Sequence, residues 1–236
     1  MSKTILTGER PIGQVRTVGD IQFLEGLFAF QETHRCFYMI ADYQAFATQV
    51  FEPLKAEERV RSLVCDYVAA GFDPDRSCCF LQSQVPQLFE LAAILSNLVT
   101  VQMLEGVEGT TDTGKASFGF LGFPVSQAAD ILLFRADLVP ARPDQQALVE
   151  LAADVAARFN RDHGDVFVQP EGTYSVGEGS VGDSEEGFRE RRATAEREGE
   201  LIRGILSVGG SAARVEGQRT LERVKEVIGS TYPALF

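Results

Sequence analysis

The 236-residue sequence contains no tryptophan, only two histidines (His34 and His163) and only four lysines (Lys3, Lys55, Lys115 and Lys225). Both histidines stand beside charged residues in expected turns and read as solvated side chains rather than as metal or haem ligands. No serine or cysteine with a nucleophile signature lies near His163, Asp162 and Asp165. The four cysteines, Cys36, Cys65, Cys78 and Cys79, lack the paired CxxC spacing of a zinc site, so no metal site is predicted and the thiols read as reduced core residues. No apolar run reaches the roughly 18 to 20 residues of a membrane span, and Met1 to Arg10 lacks a charged-then-apolar leader pattern. The expectation is a cytoplasmic protein without a membrane partner. Basic charge is short as well: 22 Lys and Arg face 34 Asp and Glu, a net charge of −12 that repels polyphosphates such as nucleic acid. The arginines at 189, 191, 192 and 197 do not form a basic patch, because Glu185, Glu186, Glu190, Glu196, Glu198 and Glu200 interleave with them as on a solvated helix face.

With 44% hydrophobic content the chain can bury a full core. Strand and helix patterns alternate, which predicts an α/β fold with a parallel sheet flanked by helices. Strands are expected at Lys3–Thr7, Cys36–Ala41, Ser77–Leu81 and Leu138–Val139, the last closing the sheet. Helices are expected at Val18–Gln31, Pro53–Ala70, Gln87–Glu105, Pro124–Phe134 and Asp144–Asn160, then two amphipathic helices at Glu186–Leu206 and Ala212–Ile228. Gly106–Ser117 and Gly164–Gly187 read as loops rich in glycine and acid. The domain reading is a catalytic-type domain over 1–172, an acidic glycine-rich linker over 173–187 and a short C-terminal helical appendage over 188–236 packing on it. Gln87–Glu105 is apolar around most of its circumference, which predicts a central helix or a subunit interface.

One carboxylate, Asp130, lies inside the apolar run Phe118–Phe134. A buried acid is costly without a partner, so Asp130 faces either a ligand or a fixed polar group of the core. That run, with Met39–Phe46 (MIADYQAF), Gln82–Pro86 (QSQVP) and Asp137–Pro140 (DLVP), resembles the catalytic domain of bacterial tryptophanyl-tRNA synthetases, which are class I enzymes. The resemblance covers about residues 3–172 and, more loosely, 188–229, and it implies a Rossmann-like sheet. It also implies that Asp130 accepts the indole N–H of tryptophan, that Phe123 stands where a tyrosine helps to hold the ammonium, and that Gln145 meets the polar end of the amino acid. Leu6, Gly8, Asp42, Gln44, Gln127, Ile131 and Val139 match further positions of the substrate pocket, and a homodimer through the 87–105 region is implied. Read from the residues alone, Asp42 could equally cap the following turn, and Gln44, Gln127 and Gln145 could be exposed amides.

The nucleotide half departs from the family. No KMSKS sequence occurs, and no lysine follows the helix that begins near Asp144 closely enough to clamp pyrophosphate. The position of the HIGH-type motif holds Arg16-Thr17-Val18-Gly19, or Thr17-Val18-Gly19-Asp20 one residue on, and neither contains a histidine. Ala141-Arg142-Pro143 stands where the family has V-G-E, and Asp144 and Gln145 follow as they do there. The nucleotide-binding candidates are therefore Arg10, Arg16 and Asp144, and the altered motifs count against ATP and magnesium and against tRNA as a partner. The expected function is binding of L-tryptophan or a close indole, processed in small-molecule (secondary) metabolism after loss of aminoacylation. The alternatives are a non-catalytic tryptophan-binding or regulatory protein and a tRNA-independent amino-acid adenylating ligase.

Overall fold

The computed structural model describes residues 2–12, 17–46, 55–105, 107, 117–174, 176 and 185–232. Five parallel strands form one sheet in the order β3-β2-β1-β4-β5, with β1 Thr4–Glu9, β2 Arg35–Ile40, β3 Cys78–Leu81, β4 Leu138–Pro140 and β5 Glu171–Thr173. Alternate side chains of the central strands feed two cores. Ile5, Cys36, Tyr38 and Ile40 enter the core covered by α1 (Val18–Ala29) and α3 (Ala56–Ala69). Leu6, Phe37, Met39 and Phe80 enter the core covered by α4 (Gln87–Leu95), α6 (Phe118–Leu133) and α7 (Gln146–His163). A period of two on β1 and β2 thus places helices on both faces, as a parallel sheet requires. A short helix, α2 (Asp42–Phe46), follows β2 directly. Cys36, Cys65 and Cys79 are buried free thiols and Cys78 is half-buried. Among the described residues no helix is long and apolar enough to cross a membrane.

Four sequence expectations change. The helix expected over Gln87–Glu105 is broken: α4 ends at Leu95, a 3-10 turn spans Ser96–Leu98, and α5 covers Val101–Leu104. Ser96 Oγ and Asn97 Nδ2 donate to the Ala93 carbonyl at 2.7 and 3.1 Å, competing with the backbone ladder, and Thr100 begins a new turn by accepting from Met103 N–H. Helix α6 begins at Phe118, six residues before the expected Pro124, because Ser117 Oγ caps Phe120 N–H at 3.2 Å. The sheet does not close at β4. The Glu171–Thr173 segment, expected as loop, pairs with β4 as an edge strand (Leu138 with Glu171, Val139 with Gly172).

The fourth change concerns the C-terminal helices. Their break falls at Glu198, between α8 (Glu185–Arg197) and α9 (Gly199–Val227), and the helix runs unbroken through the Gly209-Gly210 pair that composition assigns to a break. Those glycines let α9 lie directly on the edge strand. A Cβ on Gly209 would sit 1.8 Å from the Cys79 carbonyl oxygen, and one on Gly210 would sit 2.4 Å from Gln84 Oε1. Cys78 Sγ donates to the Gly209 carbonyl at 3.2 Å. Ile202 and Ile205 enter one core while Ala213, Leu221 and Val224 enter the other, so α9 laces the two cores around the β3 edge. Helix α8 is tied to α3 by the Arg192–Asp66 ion pair, by Arg192 Nη2 on Ser62 Oγ at 2.7 Å and by Arg191 Nε on the Ala69 carbonyl at 2.7 Å.

Gly209→Ala should therefore lower stability by roughly 2–3 kcal/mol through overpacking against β3. Gly204→Ala, on the same helix where a Cβ meets nothing within 4 Å, should be neutral or gain about 0.5–1 kcal/mol from helix propensity. Urea denaturation of the two variants checks the pair; equal effects would contradict the close contact.

Candidate functional site

Strand order reverses between β1 and β4, and at such a point ligands of α/β folds sit outside the carboxyl ends of the strands. The two strands pair only at Ile5–Leu138 and then part. Thr7 Oγ1 donates to the Pro140 carbonyl at 3.0 Å and ties the diverging ends together. Above them lies a cleft of about 150 Å³. Its walls bring together Leu6, Gly8, Arg10, Gln44, Phe123, Gln127, Asp130, Ile131, Val139, Asp144 and Gln145, from strand ends, α2, α6 and the turn before α7. At the floor a Cβ on Gly8 would meet the flexible end of Met39, Cε, at 2.9 Å.

Asp130 is 1% exposed, near the C-terminal end of α6. Gln82, itself 0% exposed, points its amide nitrogen at both Asp130 oxygens at 3.1 Å, and Gln44 Nε2 donates to Oδ2. Burial outweighs these two donors and pushes the carboxyl up from 3.8 to about 7. Gln82 is a residue the sequence reasoning passed over as a site member, although it opens the QSQVP motif. Its carbonyl oxygen also accepts Gln44 N–H at 3.2 Å, so one side chain orients both the acid and its second donor.

Asp42 stands apart from the cleft. Its Oδ1 accepts Ser83 N–H at 3.0 Å, so it caps the 3-10 turn Gln82–Gln84, the turn-capping alternative open in the sequence. Gln145 borders the cleft, but its Oε1 accepts Arg142 N–H at 3.1 Å within its own turn. Phe123 is half-buried, with the Arg10 guanidinium 5.9 Å from its ring centroid. Arg16 lies outside the described residues.

The other half of the cleft is a charge cluster. Glu9, at the tip of β1, also lines it, as does Arg142. Burial raises the Glu9 carboxyl above its ordinary value against the lowering influence of Arg142 and Arg10, with Asp20 and Asp144 adding to the rise. Arg142 turns toward α1. Its guanidinium stacks 4.4 Å from the Phe23 ring centroid and reaches Asp20 Oδ1 at 3.9 Å. Asp20 in turn accepts Thr17 N–H at 3.1 Å in a capping box at the start of α1. Three acids, Glu9, Asp20 and Asp144, therefore face two arginines where the resemblance places a nucleotide. Of the two histidines, His34 Nδ1 lies 2.6 Å from Thr33 Oγ1 and His163 stacks on Phe159 with centroids 4.6 Å apart, both away from the cleft walls.

Residues 2–179 match the family model described as tRNA synthetases class I (W and Y). The tryptophan–tRNA ligase of Treponema pallidum is 43% identical over 174 residues, covering 70% of this chain and 52% of that protein. That of Listeria monocytogenes is 41% identical over 175 residues, covering 72% and 53%. The chain thus spans about half the length of the curated relatives it matches. Among solved structures, the tryptophanyl-tRNA synthetase of Campylobacter jejuni complexed with ADP and tryptophan superposes with a TM-score of 0.83 at 23% identity, over 96% of this chain and 99% of that one. The Mycoplasma pneumoniae tryptophanyl-tRNA synthetase gives 0.80 at 17% identity, over 97% and 98%, and these likenesses establish the fold.

The raised Asp130 carboxyl predicts a pH signature. Between 3.8 and about 7 the folded protein retains a proton that the unfolded chain has released, so this group's contribution to stability falls as pH rises through that window and levels off above it. Relative to Asp130→Asn, the wild type should lose stability across the window by about 1.4 kcal/mol for each pH unit, a few kcal/mol in all. Denaturant melts of both proteins from about pH 4 to 8, spanning the free and raised carboxyl values, check it; parallel profiles would contradict a desolvated acid.

Proposed function

The chain belongs to the class I tRNA synthetases of the tryptophan and tyrosine group, and from that membership we propose that it binds L-tryptophan or a close indole derivative at the Asp130 cleft, has lost tRNA aminoacylation, and processes the ligand in small-molecule metabolism. The observation that carries this reading is Asp130 itself. A buried carboxylate costs several kcal/mol unless its hydrogen bonds are in place, and here two amides orient it on the wall of the switch-point cleft. Such an acceptor suits a ligand that is apolar over most of its surface and carries one N–H donor, which describes an indole. The tryptophan–tRNA ligases that the chain matches, and the fold neighbour solved with tryptophan, support the same ligand class.

The proposed loss of adenylation rests on charge. Nucleotidyl transfer depends on groups that stabilise anionic oxygens, whereas this end of the cleft carries Glu9 and Asp144 against Arg10 and Arg142, with Asp20 beside Arg142. The family-wide motif positions supply no histidine here, and Pro143 removes a backbone donor. The chain's net charge of −12 further disfavours a tRNA partner. A homodimer contact through the 87–105 region accompanies this reading; Val101 within it is 57% exposed.

A second reading, a tryptophan-binding or regulatory protein without catalysis, is favoured by one observation. The described residues lining the cleft include no cysteine, serine, histidine or lysine, and the single threonine hydroxyl, on Thr7, is engaged with Pro140. The protein has no tryptophan of its own, so ligand emission can be followed directly. Titration of L-tryptophan by fluorescence anisotropy should show saturable binding that Mg-ATP leaves unchanged, with no tryptophan-dependent exchange of pyrophosphate into ATP. Binding that requires Mg-ATP, or measurable exchange, would establish the adenylating ligase instead.

A further inference from the structure

Gln82 is 0% exposed, and its Oε1 accepts Gln44 N–H at 3.2 Å. A backbone N–H can only donate, so this amide cannot be turned over: its nitrogen faces Asp130 and can only donate there. The turn that carries it is held by Asp42 Oδ1 on Ser83 N–H and by Gln84 Oε1 on Leu81 N–H. Gln82 Nε2 lies 3.1 Å from each Asp130 oxygen, and Gln44 Nε2 adds a second donor to Oδ2. Oδ2 is therefore met by two amides and Oδ1 by one that it shares, which leaves the larger free acceptor capacity on Oδ1. The charged groups of the surrounding elements are engaged elsewhere. Asp42 of α2 caps its turn, Arg10 lies over Phe123, and Arg142 reaches Phe23 and Asp20. The Glu9 side chain shares the strand parity of Ile5, on the other sheet face from Leu6 and α6, and Asp144 belongs to the turn before α7. On α4 and α7, Glu90 pairs with Lys225, Glu150 accepts from Gln146 and Asp154 pairs with Arg158. None of these is among the influences on the Asp130 carboxyl, which are burial and then the Gln82 and Gln44 amides.

We propose that Gln82, with Gln44, is a positioning residue that holds Asp130 as an acceptor with Oδ1 open, so that a proton and a ligand N–H compete for that one oxygen. The proposal rests on the reading of Asp130 as the acceptor of the ligand's N–H, and it adds that binding is linked to proton release. In the free protein, burial keeps a proton on this acid up to about pH 7, and Oδ1 is the oxygen not already met by two donors. When the ligand's N–H arrives, the O–H bond breaks, the electron pair stays on Oδ1 to accept the new hydrogen bond, and the proton passes to water. The two amides lower the cost of the resulting carboxylate and keep its lone pairs in place.

The test is the affinity for L-tryptophan from about pH 5 to 8.5, measured by fluorescence anisotropy for the wild type, Asp130→Asn, Gln82→Met and Gln44→Met. The wild type should bind with constant affinity above neutrality and about tenfold more weakly for each pH unit below it. Calorimetry in two buffers of different ionisation enthalpy should count about one proton released per ligand on the acid side. Asp130→Asn should bind weakly and without pH dependence. Each amide variant removes a donor to the carboxylate, so each should move the fall in affinity to higher pH and recover affinity as pH rises. A residue that merely packs would lower affinity equally at every pH. Gln44 is half-buried on the short helix α2, so its variant carries the test where Gln82→Met fails to fold. A wild-type affinity that is flat across the window, with no proton released, overturns the competition and leaves indole binding standing. Amide variants whose profiles coincide with the wild type or run parallel below it overturn the positioning role. Failure of L-tryptophan to bind at any pH overturns the indole assignment itself, and the proposal with it.

Discussion

The structure turns on the cost of keeping one carboxylate, Asp130, out of water. A residue 1% exposed in a helix otherwise apolar on its inner side must be held by donors whose own positions are fixed, and those donors come from two different elements. Gln82 sits in the turn that follows β3, and Gln44 sits in α2 after β2. The turn is capped by Asp42 through Ser83 N–H and closed by Gln84, whose Oε1 accepts Leu81 N–H at 3.0 Å. Helix α9 then presses its two glycines onto Cys79 and Gln84. A line of contacts therefore runs from a helix near the end of the chain, through an edge strand and its turn, to the acid in the cleft. The C-terminal helix is part of what positions the site.

The cleft divides electrostatically at the strand tips. On the Asp130 side the groups are neutral donors and apolar walls, and on the α1 side they are mixed charges with an excess of anions. The N-terminus of α1 is satisfied by its own Thr17–Asp20 capping box, and the same Asp20 draws Arg142 away from the cleft. Three acids against two arginines around these strand ends suit a polyphosphate poorly. Fold alone does not choose among functions, and the proposed loss of adenylation rests on the charge layout at the strand ends.

Much of this was legible from residues. Alternating elements announced the parallel sheet, and the acid inside Phe118–Phe134 and the matched positions from Leu6 to Gln145 line one cleft apart from Asp42. What escaped was set by tertiary contact. Gln82 looks in sequence like any polar turn residue, and only the fold buries its amide against Asp130. Gly209 and Gly210 read as a helix break because composition does not separate a glycine that ends a helix from one that admits a neighbouring strand. The three residues of β5 carry no strand signature of their own and are ordered by pairing with β4. The break after Leu95 depended on two side chains competing for one carbonyl, which an apolar count does not register.

The assignment of Asp130 as acceptor of an indole N–H is the claim on which the functional account stands. Comparing the affinities of L-tryptophan and 1-methyl-L-tryptophan tests it most directly, because methylation removes that single donor and leaves the amine and carboxylate unchanged. The account predicts that methylation weakens binding about tenfold or more in the wild type, since it leaves a buried acceptor unpaired and adds bulk against it. Equal affinity for the two ligands would contradict it and would show that the indole nitrogen does not meet Asp130.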